Sequence, residues 1–172
     1  VHKTGIVQPA LAVFGDRGRV LVTLDNKGLG HEVAFYYLAN PDAEPRQTPG
    51  KFGCYWLAVS PDGSLVAAST RGGAVELYDP VKGELIATLH GHMNSAEQVA
   101  FSPDGKRLIS IGNGGEIKLW DLETRQELLT LNGREGARWT ADGDVILSDN
   151  HQAWIAPTLE EIAAAEAKDK AE

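Results

Sequence analysis

The fold of this chain is decided by residues 98–121, QVAFSPDGKRLISIGNGGEIKLWD. An apolar run leads into Ser102-Pro103-Asp104-Gly105, and alternating, strand-like runs follow on either side of a glycine-rich turn at 113–115. Proline suits the second position of a type I turn, Asp can bond the backbone two residues on, and Gly tolerates a positive φ. The tetrapeptide therefore predicts a hairpin corner, an interpretation that we prefer to a chemical role for Asp104.

The same tetrapeptide occurs 42 residues upstream, where Asp62 and Gly63 take the corner positions that Asp104 and Gly105 take downstream. A second glycine-rich turn, at 71–73, is the counterpart of the turn at 113–115. A period of about 40–45 residues carrying four strands is typical of one blade of a β-propeller. The sequence therefore predicts an all-β fold whose blades each have four antiparallel strands.

Two weaker copies flank the clear pair and extend the array to about four blades, which is a partial or half ring. The last copy ends at Trp154-Ile155, and Pro157 follows where its outer strand would stand. We predict a propeller region at 1–157, in units of about 8–50, 51–92, 93–134 and 135–157.

The C-terminal segment 158–172 is different in kind. Thr158 with Glu161 three residues on matches a capping box, and an alanine-rich stretch of high helix propensity follows. This pattern predicts a short C-terminal α-helix, with two alternatives for its role. It is a docking or linker helix, or a frayed tail, because isolated helices this short are marginal in water.

The repeats resemble those of the WD-repeat family of β-propellers. The resemblance rests on the Gly-His pair in 89–92, on the run 99–105 and on 117–121, where the third strand ends in Trp-Asp. The tail around 154–162 also resembles the end of WD-repeat regions in large bacterial multidomain proteins, where the propeller follows a signalling domain such as a serine/threonine kinase. The resemblance implies a WD-repeat propeller that recruits protein partners.

The family also has a stabilising network that joins the Gly-His histidine, a Ser or Thr, a turn Asp and the Trp. By resemblance this network falls on His92, Ser110 and Trp120, but the turn position holds Gly114. We therefore expect an incomplete network and a blade held mainly by apolar packing. In the preceding unit Tyr78 stands for the Trp, and glycine again replaces the Asp.

Ring closure is the next question, because propellers have roughly 4 to 8 blades. The chain is expected to be part of a longer polypeptide with upstream domains, or to complete a ring as a head-to-tail homodimer. In the second case Ile6-Val7 would pair with the sheet edge that the fourth unit leaves bare, since an unpaired strand invites another chain. A monomeric fragment that packs on a neighbouring domain is the alternative.

Composition excludes several classes of function. The formal net charge is −8 and no basic stripe is present, which argues against nucleic acid as a partner. No apolar run approaches the roughly 20 residues of a membrane span, so we predict no membrane partner. The compartment stays open, with the cytoplasm favoured. Cys54 is the single cysteine, and we expect a buried apolar thiol rather than a nucleophile.

Catalytic and metal-binding patterns are absent from the sequence. His90 and His92 are two residues apart, but no third ligand has suitable spacing, so a structural role for His92 is preferred to a metal site. No nucleophile elbow, phosphate loop or HExxH motif occurs. We predict no cofactor and no enzymatic activity.

Two functions from different classes remain. The first is a non-catalytic scaffold for protein–protein interaction, as the recruitment part of a larger bacterial signalling protein. The alternative is a propeller subdomain of an enzyme, such as a hydrolase or oxidase, whose catalytic residues lie outside this chain. The candidate partner loop is 39–50, with Asp42, Glu44 and Arg46, and a plain spacer is the other interpretation of that loop.

Overall fold

The computed structural model describes residues 11–27, 30–48, 53–132, 137–143, 145–148 and 153–155, together with Glu161. These residues form four antiparallel sheets in chain order. The predicted all-β fold with four-stranded antiparallel sheets is therefore confirmed. The helix predicted over 158–172, apart from Glu161, and the Ile6-Val7 strand lie outside the described residues.

Each sheet is a simple meander in which every strand pairs with the next one along the chain. The first sheet contains β1 (Ala12–Gly15), β2 (Val20–Lys27), β3 (Gly30–Tyr37) and β4 (Arg46–Thr48). The second contains β5 (Cys54–Val59), β6 (Val66–Thr70), β7 (Ala74–Asp79) and β8 (Glu84–His90). The third contains β9 (Ala96–Phe101), β10 (Arg107–Gly112), β11 (Glu116–Asp121) and β12 (Glu127–Asn132). The fourth contains β13 (Ala137–Trp139), β14 (Val145–Ser148) and β15 (Ala153–Ile155). The boundaries of the predicted units stay predictions.

Strand register repeats from the second sheet to the third. Val66 of β6 lies opposite Tyr78, and Leu108 of β10 lies opposite Trp120. Tyr78 therefore occupies in the second sheet the place that Trp120 has in the third, as the sequence comparison predicts.

Among the described residues, apolar clusters lie between successive sheets. Val22 and Phe35 of the first sheet pack with Leu57 of the second in one cluster. A second cluster joins Val75 to residues of the third sheet, and the last joins Ile109 and other residues of the third sheet to Ile146. Because strand side chains alternate between the two faces, a strand buried on both sides reads as a continuous apolar run. This is the case for β10, where all six residues are buried.

The Ser-Pro-Asp-Gly segments form corners that are closed by their own side chains. Asp62 Oδ1 accepts hydrogen bonds from Ser60 Oγ at 2.6 Å and from the Ser64 backbone N–H at 3.0 Å. In the third sheet, Asp104 Oδ1 likewise accepts from Ser102 Oγ and from the Lys106 N–H at 3.0 Å. The pKa of the Asp62 carboxyl is lowered to about 2 by these bonds, chiefly the one from Ser60.

Corners of consecutive sheets contact each other. The backbone N–H of Asp16 donates to Gly63 O at 2.8 Å, and Arg107 Nη2 donates to Gly143 O at 3.0 Å. Arg107 also lies over the Trp139 ring, with its guanidinium carbon 5.0 Å from the ring centroid. These contacts line up at one end of the molecule, which we call the corner end, and the hairpin turns at 71–73 and 113–115 lie at the opposite end.

The predicted partner loop is shorter than expected. Arg46–Thr48 form β4 and pair with β3, so the prediction of a continuous loop over 39–50 is wrong. The strand is favoured because it pairs the otherwise open edge of β3. The sequence does not predict this strand, because three residues between Pro45 and Pro49 are too few to show the alternation of apolar and polar residues that is typical of a strand.

Candidate functional site

A buried polar network spans the third sheet. His92 Nε2 lies 2.7 Å from Ser110 Oγ, and Trp120 Nε1 donates to the same oxygen at 2.8 Å. All three residues are buried. The structure thus places His92, Ser110 and Trp120 in one hydrogen-bonded group, which ties the connection before β9 to the two central strands.

Glu116 is a fourth member of this network. Its Oε1 lies 2.6 Å from His92 Nδ1, so the expectation of an incomplete network is wrong. Glu116 begins β11 two residues after Gly114, and its side chain is long enough to reach the histidine from there. The available signal was a carboxylate directly after the Gly-Gly turn, two residues beyond the expected turn position at Gly114.

The hydrogen bonds select one neutral form of His92. Trp120 Nε1 can only donate, so the Ser110 hydroxyl accepts from it and is free to donate to His92 Nε2. The Nδ1–H then donates to the Glu116 carboxylate. Burial of the ring lowers the pKa of His92 despite the opposing influence of Glu116. His92 is therefore uncharged at neutral pH and has a structural role in the network.

A buried lysine lies beside this network. Lys118 Nζ donates to Glu127 at 2.9 and 3.0 Å and to Thr130 Oγ1 at 2.8 Å, and its side chain is 8% exposed. Burial opposes ionisation of Glu127, but bonds from Thr130 and Lys118 hold its pKa below the usual value. A Cβ at Gly91 would lie 2.8 Å from Trp120 Cη2. Glycine is therefore required where the connection crosses these side chains.

The second sheet uses a different polar group at the equivalent place. Tyr78 is buried, and its hydroxyl donates to Glu76. Burial raises the pKa of Tyr78 far above its usual value, so the phenol stays protonated. Tyrosine thus replaces the indole as a buried donor, without a histidine partner in the described part of the sheet.

Chemistry-bearing groups do not converge among the described residues. None of them forms a cluster of three His, Cys, Asp or Glu side chains suited to a metal ion. Cys54 is buried as predicted, and burial raises the pKa of its thiol to about 12. His90 is exposed at the end of β8. No helix within the described segments is long and apolar enough to cross a membrane.

A depression of about 630 Å³ opens between the second and third sheets, at the end opposite the corners. We call it the Arg71 depression, and it is lined by Tyr55, Arg71, Met93, Asn94, Ser95 and Asn113, with Gly72 at its wall.

Backbone contacts fix the floor of the Arg71 depression. The N–H of Asn113 donates to Ser95 O at 2.8 Å, and that of Arg71 donates to Gly53 O at 2.8 Å. Gly73 has φ +79°, and a Cβ there would lie 2.2 Å from Asn94 O. The turn at 71–73 is therefore packed against the connection at 91–95, which contains His92 of the polar network.

The side chains of the depression are exposed above this floor. Met93 is 96% exposed and Tyr55 is 42% exposed. The side chains of Arg71, Asn94 and Asn113 have no ion pair or hydrogen bond with any residue that the structure describes. The sequence does not predict this surface, because Tyr55 lies in β5 and the other lining residues lie in separate turns and connections of two units.

The predicted partner residues lie elsewhere. Asp42 and Glu44 are exposed in the connection after β3, at the corner end. Arg46 lies in β4 and forms an ion pair with Glu84 of the second sheet, with Nη2 3.0 Å from Oε1. The structure does not bring these three residues into the Arg71 depression, and their role as a partner site stays a prediction.

Comparison with known proteins gives one family match. The family model of the WD domain, G-beta repeat matches residues 83–121, which contain the Gly-His pair, the third-sheet corner and the Trp-Asp ending. No curated protein matches the chain. The match includes His92, Ser110, Glu116 and Trp120, so it covers the hydrogen-bonded network as well as the strands.

Proposed function

The WD-repeat match and the four-stranded antiparallel sheets fit a propeller-like WD-repeat protein, and we propose that this one is a non-catalytic scaffold that binds a partner protein at the Arg71 depression. A WD repeat supports a protein-interaction role of this kind. The observation that carries the proposal is the exposure of Met93 and Tyr55 around donors that have no partner in the described residues.

The anatomy of the depression supports protein binding over catalysis. Protein interfaces are enriched in Tyr, Met and Arg, and their strongest contacts are a few such side chains near the centre. The lining contains no histidine or carboxylate, which are the commonest general acids and bases. In the alternative function the propeller supports an enzyme whose catalytic residues lie outside this chain.

The proposal is tested by comparing two double variants in affinity capture from the source organism. Tyr55→Ala with Met93→Ala removes the exposed side chains of the depression. Leu85→Ala with Ile86→Ala is the control, because these residues are 50% and 38% exposed on β8 and do not line the depression. Truncated hot-spot residues lose about 2 kcal/mol or more each, or roughly 30-fold in affinity.

The expected result is a bound protein that the first variant loses and the control retains. Equal retention by both variants would contradict the proposed site. A catalytic activity that copurifies with the chain and depends on it would favour the enzyme-subdomain alternative.

A second surface, the connection at 38–45, can be tested in the same capture experiment. The connection at 38–45 exposes Asp42 and Glu44 at the corner end, while Arg46 is engaged with Glu84. Asp42→Ala with Glu44→Ala tests whether this connection contributes to partner binding. Full retention of the partner by this variant would make the connection a spacer.

Assembly is a separate part of the proposal. We propose that a second copy, arranged head to tail, completes the ring, with upstream domains of a longer chain as the other way to complete it. Phe14 on β1 is 60% exposed and Ile155 on β15 is 82% exposed, so the first and last sheets both carry a large exposed apolar residue. Light scattering should give the mass of two chains, and Phe14→Asp should reduce it to one. A single-chain mass for the unaltered protein would remove the homodimer.

The cellular context rests on the resemblance of the tail. We propose the recruitment part of a larger bacterial signalling protein that works in the cytoplasm. An antibody raised against this chain should detect a longer polypeptide in the cytoplasmic fraction of the source cells. Detection of this chain alone, or in another fraction, would contradict that context.

A further inference from the structure

We infer that the Arg71 depression binds a protein segment in which an acidic side chain is next to an aliphatic or aromatic one. This inference rests on the proposed function, since it names the chemistry of the partner at the same site. It depends on the charge of the lining residues, on their unused hydrogen-bonding groups and on the exposed thioether beside them.

The charge of the depression is opposite to that of the chain. Arg71 is the charged lining residue, and no carboxylate lines the depression, although the chain has a net charge of −8. Several cations of the described residues have acidic partners, including Arg46 with Glu84 and Lys118 with Glu127. The Arg71 guanidinium has none there. An arginine without an acidic partner among the described residues favours an acidic ligand group, because a charge-assisted pair is stronger than a neutral one.

The hydrogen-bonding groups favour the same ligand. Asn94 and Asn113, which carry amides, and Ser95 and Tyr55, which carry hydroxyls, line the depression together with Arg71. All of these groups can donate a hydrogen bond, and an ionised carboxylate is an acceptor with about four lone-pair sites. Backbone bonds fix the turn at Arg71 and the start of the turn at Asn113, so the chain segments that carry these donors are in place before the ligand arrives.

Met93 supplies the apolar part of the site. Met93 follows directly after the buried His92, its side chain is 96% exposed, and it lines the depression together with Tyr55. A flexible thioether adapts to different apolar side chains. A ligand that carries both a carboxylate and an apolar neighbour would therefore use Arg71 and Met93 together.

A nucleic acid fits this surface less well. Phosphate backbones are bound by several Lys and Arg residues acting together. The depression has one cation, on a chain whose net charge is −8. We therefore assign the acidic group to a protein, and an oligonucleotide becomes one arm of the test.

The test uses the full chain, fluorescently labelled at its N-terminus, on arrays of nonapeptides. The central position is fixed as Asp, Gln or Lys, its neighbours are fixed as Leu, and the remaining positions are degenerate. We expect binding to follow the order Asp, then Gln, then Lys. Arg71→Gln should reduce the preference for Asp over Gln about tenfold or more, because hydrogen bonds to charged groups are among the stronger ones.

Two further variants make the result specific. Arg71→Glu should reverse the order so that the Lys library binds best. Arg125→Gln is the matched control, because Arg125 is exposed in the turn before β12 at the corner end and does not line the depression. It should leave the order unchanged. Circular dichroism of each variant confirms that the chain is folded.

Other outcomes overturn the inference and separate it from the proposed function. If Met93→Ala abolishes peptide binding but the central charge has no effect, the acidic partner is wrong and the protein-binding site stands. If a thymidine oligonucleotide binds in an Arg71-dependent way and no peptide library does, the ligand is a nucleic acid. If no library binds and the captured partner is insensitive to Tyr55 and Met93, both proposals fail.

Discussion

Glu116 Oε1 lies 2.6 Å from His92 Nδ1, although the two residues are 24 positions apart in the chain. The contact joins the first residue of β11 to the connection that leads into β9. Because that connection continues into Met93, Asn94 and Ser95, the same contact positions one wall of the Arg71 depression. We therefore expect this polar group to contribute both to the stability of the third sheet and to the shape of the proposed binding surface.

Shortening Glu116 should weaken this group. We expect Glu116→Asp to destabilise the protein by about 1–2 kcal/mol, because the carboxylate no longer reaches Nδ1 and the buried nitrogen loses its acceptor. Denaturant unfolding measures the change. Glu123→Asp is the control, because Glu123 is exposed in the turn after β11. Equal stability of the two variants would show that the Glu116 contact contributes nothing.

Two buried serines provide a matched pair. Ser110 Oγ serves both His92 and Trp120, whereas Ser69 Oγ on the neighbouring sheet has no hydrogen-bond partner in the described residues. Ser110→Ala should cost about 2–4 kcal/mol, because two buried nitrogens lose a partner. Ser69→Ala should change the free energy of unfolding by less than about 0.5 kcal/mol or stabilise the protein. A larger loss of unfolding free energy for Ser69→Ala than for Ser110→Ala in urea denaturation would contradict the role given to Ser110.

Two corner glycines form a second pair. Gly63 and Gly105 have φ of +77° and +71°. A Cβ would lie 2.8 Å from the Arg17 backbone nitrogen at Gly63, but 3.5 Å from Pro61 Cδ at Gly105. Both alanine substitutions should lose about 1–2 kcal/mol to the left-handed backbone conformation. Gly63→Ala should lose more in thermal unfolding because a backbone atom blocks it, and equal losses would count against contact between the corners.

Stability should depend on pH through His92. Its pKa in the folded protein lies below the usual 6.5, so the unfolded chain binds more protons and stability falls as the pH drops below about 6.5. His92→Gln should flatten this part of the profile. Asp62 affects stability at lower pH. Its pKa falls from 3.8 to about 2 on folding, so the stability that the ionised carboxylate contributes is lost as the pH drops through that range. A flat profile between pH 7 and about 5 would contradict the buried neutral histidine.

The parts of the fold that sequence predicts are those set by local chemistry. The corners at Asp62 and Asp104 follow from the turn preferences of Pro, Asp and Gly, and the position of Tyr78 follows from the repeat. The strand β4 was missed because tertiary pairing, rather than propensity, makes Arg46–Thr48 a strand. Glu116 was missed because the family pattern puts the acidic residue in the turn. The Arg71 depression was missed because its position depends on how two sheets pack.

We propose that a partner protein binds at the Arg71 depression, and the affinity of that partner for two variants of this chain tests the proposal most directly. Isothermal titration of the captured partner should show binding weakened by roughly 30-fold or more in Tyr55→Ala with Met93→Ala. Leu85→Ala with Ile86→Ala, at exposed positions on β8, should bind as tightly as the unaltered chain. Unchanged affinity in the first variant, or an equal loss in both, would contradict the account.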